Sequence, residues 1–400
     1  MKVTLLENIN SSAIAVFSKN NIQDVTILKG SIEDAPSDVF ESNIIGIRSR
    51  SKLTLEFLKK FKNLSAIGCF CIGTDQVNLK AAKTLGIPVF NAPYSNTRSV
   101  AELVIAEIIT LYRKLHVVNL QMHQGVWSKS AIGCNEIKNK TLGIIGYGSI
   151  GSQVGVLAEF LGMQVIYHDI DNKMPFGSNT QAASLEELLE VSDVVSLHVP
   201  QDEMTKKIMN KDTISKMKAG SYIINNSRGH VVDINDLADA LESGHIAGAA
   251  IDVFPSEPSN NNEEFISPLR KFDNVLLTPH IGGSTEEAQK NIAIEVATKL
   301  ASYVSNASTA MSVNYPNLSL SPIKESSIRI AHSHQNIPGM LQSINSEITK
   351  RNLNIQSQIL STDNDIGYVV LDIETCNEID DLEEALKLIP GTIKVIVLKP

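Results

Sequence analysis

The stretch that decides the fold runs from 141 to 151: Thr141-Leu142-Gly143-Ile144-Ile145-Gly146-Tyr147-Gly148-Ser149-Ile150-Gly151. Leu142–Ile145 is an apolar run of the kind a buried parallel strand requires. Gly146, Gly148 and Gly151 follow in the spacing G-x-G-x-x-G, and an apolar helix opens at Ile150. A lone triplet of this kind is a weak signal, because glycines mark turns everywhere. Between a strand and a helix it has a physical use. The first glycine permits the tight turn, the second lets backbone approach a pyrophosphate, and the third lets helix pack close to strand. The free N–H groups of the helix's first turn then face the anion. The strand after that helix ends at Asp169, eighteen residues beyond Gly151. A carboxylate there accepts hydrogen bonds from a ribose and repels a 2′-phosphate, which favours NAD over NADP.

Outward from this unit the chain alternates strands and helices. Thr141–Gly146, Gln164–Asp169, Asp193–Val199, Ser221–Asn225, Ile246–Val253 and Val275–Pro279 read as strands. Ile150–Leu161, Leu185–Leu189 and Ile234–Ser243 read as helices between them, which makes a doubly wound sheet of six strands. Upstream, strands at Lys2–Leu6, Asn43–Ile47, Leu64–Gly68 and Ile87–Asn91, with helices at Leu53–Phe61 and Val77–Leu85, predict a second, mostly parallel sheet. One continuous helix is expected from Arg98 to about His123, leading to Trp127, the only tryptophan. Ser305–Pro322, rich in Ser, Asn and Pro, reads as a linker. Beyond it come strand Ser327–Ser333, helix Pro338–Lys350, strands Asn354–Ser361 and Gly367–Ile373, helix Leu382–Leu388 and strand Thr392–Leu398. That order, βαββαβ, is ferredoxin-like.

Composition narrows the function classes. The chain of 400 residues is 43% hydrophobic and 20% charged, with 35 basic against 44 acidic residues and a net charge of −9. A mildly acidic chain repels phosphate backbones, so nucleic acid is not the expected partner. No apolar run reaches the ~18 residues of a membrane span, and Glu7, Asn8 and Asn10 interrupt any secretory leader after Lys2. Cys69, Cys71, Cys134 and Cys376 are too few and too scattered for a disulfide framework. A cytoplasmic protein is expected.

Three residues follow later strands of the glycine-rich sheet: Arg228, Glu257 and His280. Ligands of open α/β sheets bind outside the carboxyl ends of strands, so these side chains should converge on the cofactor crevice. Taken singly, Arg228 could cap a helix, Glu257 could be a solvated carboxylate and His280 a core histidine. Jointly they make an acid–base pair beside a cationic anchor. Imidazole titrates near neutrality, so His280 suits a general base that removes a hydroxyl proton while hydride leaves carbon. Glu257 can fix its tautomer, and the planar fork of Arg228 suits a 2-hydroxy or 2-oxo carboxylate. No metal is required.

These residues lie in GYGSIG at 146–151, HVP at 198–200, NNSRG at 225–229, AAIDVFPSEP at 249–258 and TPHIGGST at 278–285. Through them the chain resembles the D-isomer-specific 2-hydroxyacid dehydrogenases, and its C-terminal unit looks like an ACT domain. The resemblance implies that Arg228, Glu257 and His280 are catalytic. It implies NAD contacts at Gly146, Gly148, Ser149, Ile150, Gly151, Asp169, Asn226, Ser227, Arg228, Asp252, His280, Ile281, Gly282 and Gly283. Position 226 is more often Ala in the family, a contact that backbone can make. The resemblance further implies a Rossmann-type nucleotide domain (96–282) inserted in a flavodoxin-like substrate domain (1–95, returning through 283–322 with the linker), and an ACT regulatory domain at 326–400. A cleft between the first two would close over substrate.

Arg48-Ser49-Arg50 follows the strand Asn43–Ile47, and two guanidiniums with a hydroxyl suit an extra anionic group. A solvated surface cluster is the other reading of the same residues. The resemblance points to the branch of the family that oxidises 3-phospho-D-glycerate to 3-phosphooxypyruvate in serine synthesis. It implies substrate contacts at Arg48, Ser49, Arg50, Gly73, Asn96 and Lys129, the last reaching a neighbouring subunit of a homotetramer. It also implies L-serine as an allosteric effector held by His334, Asn336 and Asn354. His332 and His334 share a strand face, but no third metal ligand is evident. A dehydrogenase for a non-phosphorylated acid, and a non-catalytic NAD-sensing protein, are the alternatives.

Overall fold

The computed structural model describes residues 1–258, 262–375 and 379–400, which divide into two compact units: Met1–Ser95 with Gln289–Pro400, and Asn96–Ala288. Cys376 lies outside the described residues.

The first unit opens with β1 (Lys2–Leu5), α1 (Ser12–Lys19), β2 (Asp24–Ile27), β3 (Ile44–Ile47), α2 (Leu55–Lys60), β4 (Ala66–Cys69), α3 (Leu79–Thr84) and β5 (Val89–Phe90). The strands form a parallel sheet in the order β2-β1-β3-β4-β5, the flavodoxin-like order. β3 and β4 are wholly buried and read as continuous apolar runs, while β1 buries Thr4 with its Oγ1 2.7 Å from Ser42 Oγ. Thr54 and Asn78 start α2 and α3 by accepting hydrogen bonds from Phe57 and Ala81 N–H. Helix α1 and the edge strand β2 are additions to the expected elements. β2 alternates exposed and half-buried residues over only four positions, too few for a periodicity.

The second unit comprises α4 (Thr97–Arg113), α5 (Leu115–His123), β6 (Thr141–Ile145), α6 (Ser149–Phe160), β7 (Gln164–His168), β8 (Thr180–Gln181), α7 (Leu185–Val191), β9 (Val194–Leu197), α8 (Lys211–Ser215), β10 (Ser221–Asn225), α9 (Ile234–Glu242), β11 (Ile246–Ile251) and β12 (Val275–Leu277). Its sheet has seven parallel strands, in the order β12-β11-β10-β9-β6-β7-β8. The order reverses between β6 and β9, the switch point where a doubly wound sheet binds its ligand. The seventh strand, β8, has two residues and leaves no pattern to read. The single helix expected from Arg98 to His123 is broken. Lys114 takes φ 51°, ending α4 and beginning α5, without the glycine or proline that would have marked it. α4 buries Val100, Ala101, Val104, Ile108 and Leu111 as one stripe, whereas α5 buries no residue.

The chain returns through α10 (Glu286–Asn306) and ends in β13 (Ser327–Gln335), α11 (Met340–Lys350), β14 (Ile355–Thr362), β15 (Ile366–Glu374), α12 (Ile379–Lys387) and β16 (Thr392–Leu398). These last strands form an antiparallel sheet, β14-β15-β13-β16, the ferredoxin-like arrangement. The stretch read as a linker is packed instead. Asn314 accepts from Val89 N–H at 2.8 Å and donates to Ile87 C=O at 3.0 Å, and Ser312 bridges to Phe90. Ala307, Tyr315 and Leu318 cover Ala331, Ile366, Tyr368 and Val370 on one face of the antiparallel sheet. Ser312 and Asn314 satisfy backbone groups at a sheet edge rather than hold a chain open.

Candidate active site

The glycine-rich turn has the geometry of an anion cradle. Gly146 sits at φ 91°, and a Cβ there would lie 2.5 Å from the His198 carbonyl oxygen. A Cβ on Gly151 would lie 2.1 Å from the Gly146 oxygen, so only glycine allows α6 to approach β6. Gly148 differs: its Cβ would meet nothing within 4 Å. Backbone therefore lies bare toward open space where α6 begins, and no side chain caps that helix. Ser149 is exposed and Ile150 half-buried at its first positions. Asp169 accepts Tyr147 N–H at 2.8 Å and Asp171 N–H at 3.0 Å, one on each oxygen. Each oxygen keeps a further lone pair for a ribose hydroxyl. The residues fit a dinucleotide: phosphate over Gly148 and the α6 N-terminus, ribose at Asp169.

The chemistry-bearing side chains follow β10, β11 and β12. Asn225 shapes the first of these turns, its Oδ1 accepting Ser227 N–H and Oγ–H at 3.1 and 2.8 Å and its Nδ2 donating to Arg228 C=O at 3.0 Å. Arg228 is half-buried, and its Nη1 donates to Ser227 C=O at 2.8 Å. Asp252, 1% exposed, builds the next loop. Its Oδ1 accepts Thr278 Oγ–H and Ile281 N–H, both at 2.7 Å, and its Oδ2 accepts Gly282 N–H at 2.8 Å. This grip holds His280 at φ 55°, a left-handed conformation that is rare for a non-glycine residue. Gly283 lies against Asn96, whose Oδ1 is buried without a hydrogen bond.

His280 Nδ1 meets Glu257 Oε2 at 2.9 Å, while Glu257 Oε1 accepts Phe254 N–H at 3.1 Å. A carboxylate only accepts, so Nδ1 carries the proton and Nε2 is the nitrogen left for chemistry. The hydrogen bond to Glu257 is the main cause of a raised His280 pKa; burial opposes it, the charges of Glu257 and Asp252 add to it, and Arg228 subtracts. For Glu257 burial is the largest influence and pushes upward. The His280 hydrogen bond and charge, Phe254 N–H and Arg228 outweigh it, so its pKa is lowered. Arg228, Glu257 and His280 thus act on one another electrostatically.

Asn226 is joined to Glu107 of α4, a residue the motifs did not mark. Its Nδ2 donates to Glu107 Oε2 at 2.9 Å. Burial, with the Asn226 hydrogen bond opposing and the Asp252 charge adding, pushes Glu107 up to about 8. Lys129 is exposed on the stretch after α5.

In the first unit, Arg48 is half-buried and Ser49 and Arg50 are exposed at the carboxyl end of β3. Gly73 lies in the loop after β4, its carbonyl accepting from Cys71 Sγ at 3.2 Å and Gln76 Nε2 at 3.3 Å. Glu7 and Gln76 hold these loops, and neither stands in a motif. At the C-terminal sheet, His334 is buried with Nδ1 against Gln335 C=O at 2.8 Å, and Asn336 bonds the Asp363 and Asp365 carbonyls. Asn354 is not beside them. His334 pairs with Gly367 and Ile355 with Ile373, so within one chain Asn354 lies about 20 Å along the sheet. His332 faces Thr392 Oγ1 at 3.0 Å, and burial lowers its pKa to about 4.

A doubly wound nucleotide domain carrying an imidazole–carboxylate pair and an arginine at its strand ends is the class that fold and site define. Residues 105–282 match the D-isomer specific 2-hydroxyacid dehydrogenase NAD binding domain, and residues 330–394 an AHAS small subunit-like ACT domain. The chain belongs to the D-isomer specific 2-hydroxyacid dehydrogenase family. D-3-phosphoglycerate dehydrogenase of Haemophilus influenzae is 52% identical over 400 residues, covering 100% of this chain and 97% of that protein. The enzyme of the same name from Escherichia coli is 50% identical over 401 residues, with the same coverage. Among solved structures, Aquifex aeolicus D-lactate dehydrogenase complexed with NAD and lactic acid superposes with a TM-score of 0.69 at 28% identity, covering 79% of this chain and 100% of that one. NAD-dependent formate dehydrogenase from Staphylococcus aureus in complex with NAD gives 0.66 at 28%, covering 77% and 96%.

Proposed function

We propose that this chain oxidises 3-phospho-D-glycerate to 3-phosphooxypyruvate with NAD, the entry step of serine synthesis. The observation that carries the reaction type is the 2.9 Å pair of His280 and Glu257 within the field of Arg228. Bound over Gly148 and at Asp169, NAD supplies the hydride acceptor. His280 Nε2 takes the hydroxyl proton as hydride leaves C2, and returns it in the reducing direction. Glu257 stabilises the imidazolium so formed. Arg228 holds the substrate carboxylate and aligns C2. Ser227, Asn226 and the 280–283 backbone complete the cofactor side. Arg48, Ser49 and Arg50 supply positive charge and a hydroxyl for the phosphate, with Gly73 and Asn96 as further contacts. The full-length relatives named D-3-phosphoglycerate dehydrogenase support that choice of acid.

L-serine is the effector proposed for the C-terminal domain, at His334 and Asn336 of one chain with Asn354 of another. Self-association, as a homotetramer, fits α5 and its neighbourhood: Leu120, Met122, Trp127 and Ile132 are exposed there, with Lys129 among them. Among the described residues no helix is long and apolar enough to cross a membrane, and the proposed compartment is the cytoplasm.

The test follows NADH absorbance with 3-phospho-D-glycerate, with and without L-serine. Turnover suppressed by serine is expected. Turnover of D-lactate or D-glycerate without turnover of phosphoglycerate would replace the reading by a non-phosphorylated acid, which the D-lactate dehydrogenase neighbour keeps as the second reading. NAD binding without turnover of any acid would make the chain a sensor.

A further inference from the structure

Glu7 is an acidic residue buried to 3% exposure at the end of β1, in a left-handed conformation of φ 58°. Burying a carboxylate is costly unless its lone pairs are met. Here three backbone N–H groups of one turn meet them. Oε1 accepts Arg48 N–H at 3.1 Å and Ser51 N–H at 2.9 Å, and Oε2 accepts Arg50 N–H at 2.9 Å. Oε2 also stands 3.8 Å from Arg50 Nε. The turn that carries both arginines is therefore wrapped around an internal anion, and the Arg50 guanidinium lies back along it, its Nη2 donating to Lys29 C=O at 3.2 Å. Gln76 grips the other side. Its Nε2 donates to Arg48 C=O at 2.8 Å and reaches Cys71 Sγ at 3.2 Å and Gly73 C=O at 3.3 Å. The arginine loop and the Gly73 loop thus share one frame.

We propose that Glu7 is a positioning residue: it sets the direction of Arg48, Ser49 and Arg50, and through them the preference for a phosphorylated over a non-phosphorylated 2-hydroxy acid. This rests on the assignment of the arginine loop to the substrate phosphate. Glu7 does not touch substrate. Its charge alone predicts the opposite effect to its geometry. An anion beside two arginines weakens their hold on phosphate, so simple neutralisation would tighten binding. Glu7→Gln also turns an amide donor toward at least one of three N–H donors and collapses the turn, which weakens it.

The experiment compares wild type, Glu7→Gln and Gln76→Leu in steady state on 3-phospho-D-glycerate and on D-glycerate, with NAD affinity and thermal midpoint measured alongside. For Glu7→Gln a KM for phosphoglycerate raised about tenfold or more is expected, with kcat and the KM for NAD changed less than about twofold. D-glycerate turnover should change little. Gln76→Leu should act in the same direction and less, because it frees the Arg48 and Gly73 carbonyls and Cys71 Sγ but leaves all three backbone N–H bonds to Glu7 in place. A lowered or unchanged KM, or equal losses on both acids and on NAD, overturns the proposal. If Glu7→Gln does not fold, Gln76→Leu decides by the same criteria. Wild type that ignores phosphoglycerate and turns over D-glycerate refutes the substrate assignment instead, a failure seen before any variant is made.

Discussion

Replacing Glu257 by Gln keeps the length of the side chain and one acceptor oxygen while removing the charge 2.9 Å from His280 Nδ1. Two unit charges about 4 Å apart interact by about 4 kcal/mol at an effective dielectric of about 20, and by about 1 kcal/mol in water. The His280 and Glu257 side chains are 49% and 36% exposed, so solvent screening brings the pair toward the lower value. Removing that charge should therefore lower the imidazole pKa. The sign follows from the wild-type shift. His280 is raised by Glu257, and only neutral imidazole takes the hydroxyl proton. The acid limb of kcat/KM for oxidation therefore lies above the ordinary histidine range in the wild type and moves down in Glu257→Gln. The plateau should fall about tenfold to hundredfold, because the imidazolium formed in the reaction loses its counter-charge. Initial rates of NADH formation between about pH 5.5 and 9.5 measure both. A limb that stays in place, or moves up, would refute the assignment of His280 as the titrating base paired to Glu257.

Gly148→Val should leave the thermal midpoint nearly unchanged and weaken NAD binding about tenfold or more by calorimetry, since φ −81°, ψ −156° suits any residue and the side chain enters only open space. Gly151→Ala, with a Cβ 2.1 Å from the Gly146 oxygen, should instead lower stability by about 1–3 kcal/mol in urea unfolding. Glu107, raised by burial to about 8, is neutral when folded and ionised when unfolded above its ordinary value of 4.5. Its contribution to stability is full below pH 4.5 and drains away up to pH 8. Glu107→Gln should therefore gain on the wild type by a few kcal/mol between pH 5 and pH 8, and parallel urea titrations would contradict this if the difference stayed flat. Lys83 of α3 bonds Asp363 at 2.8 Å and Asp365 at 2.9 Å on the β14–β15 hairpin. Lys83→Met should lower the midpoint by about 2–4 °C in scanning calorimetry, as a partly exposed pair worth about 1 kcal/mol would.

Much of the fold could be read directly. A parallel strand buried on both faces is mostly apolar, so β6 and β11 stand out as runs, and the glycines of 146–151 mark a turn with few structural solutions. Arg228, Glu257 and His280 could be picked because they come just after such strands, where doubly wound sheets gather their ligands. Other features left no local mark. The break at Lys114 lacks glycine or proline, and β8 is shorter than one period of any pattern. Ser305–Pro322 has the composition of a free connection, yet its polar groups are consumed at the β5 edge. That strand register sets His334 and Asn354 about 20 Å apart within one chain could not be read either.

By itself, the order of residues determined the two α/β sheets, the ferredoxin-like tail, the glycine-rich turn of the NAD-binding domain and the candidate acid–base side chains. These depend on periodicity, on turn chemistry and on the residues just past each strand's carboxyl end, all local along the chain. Tertiary structure alone decided what steadies them. Glu7 lies 41 residues from Arg48, Glu107 119 from Asn226, and Asp252 29 from Ile281. A buried carboxylate persists only where the fold brings enough donors to it, or leaves it protonated. Which donors arrive is set by strand order and register, and no window of sequence contains that.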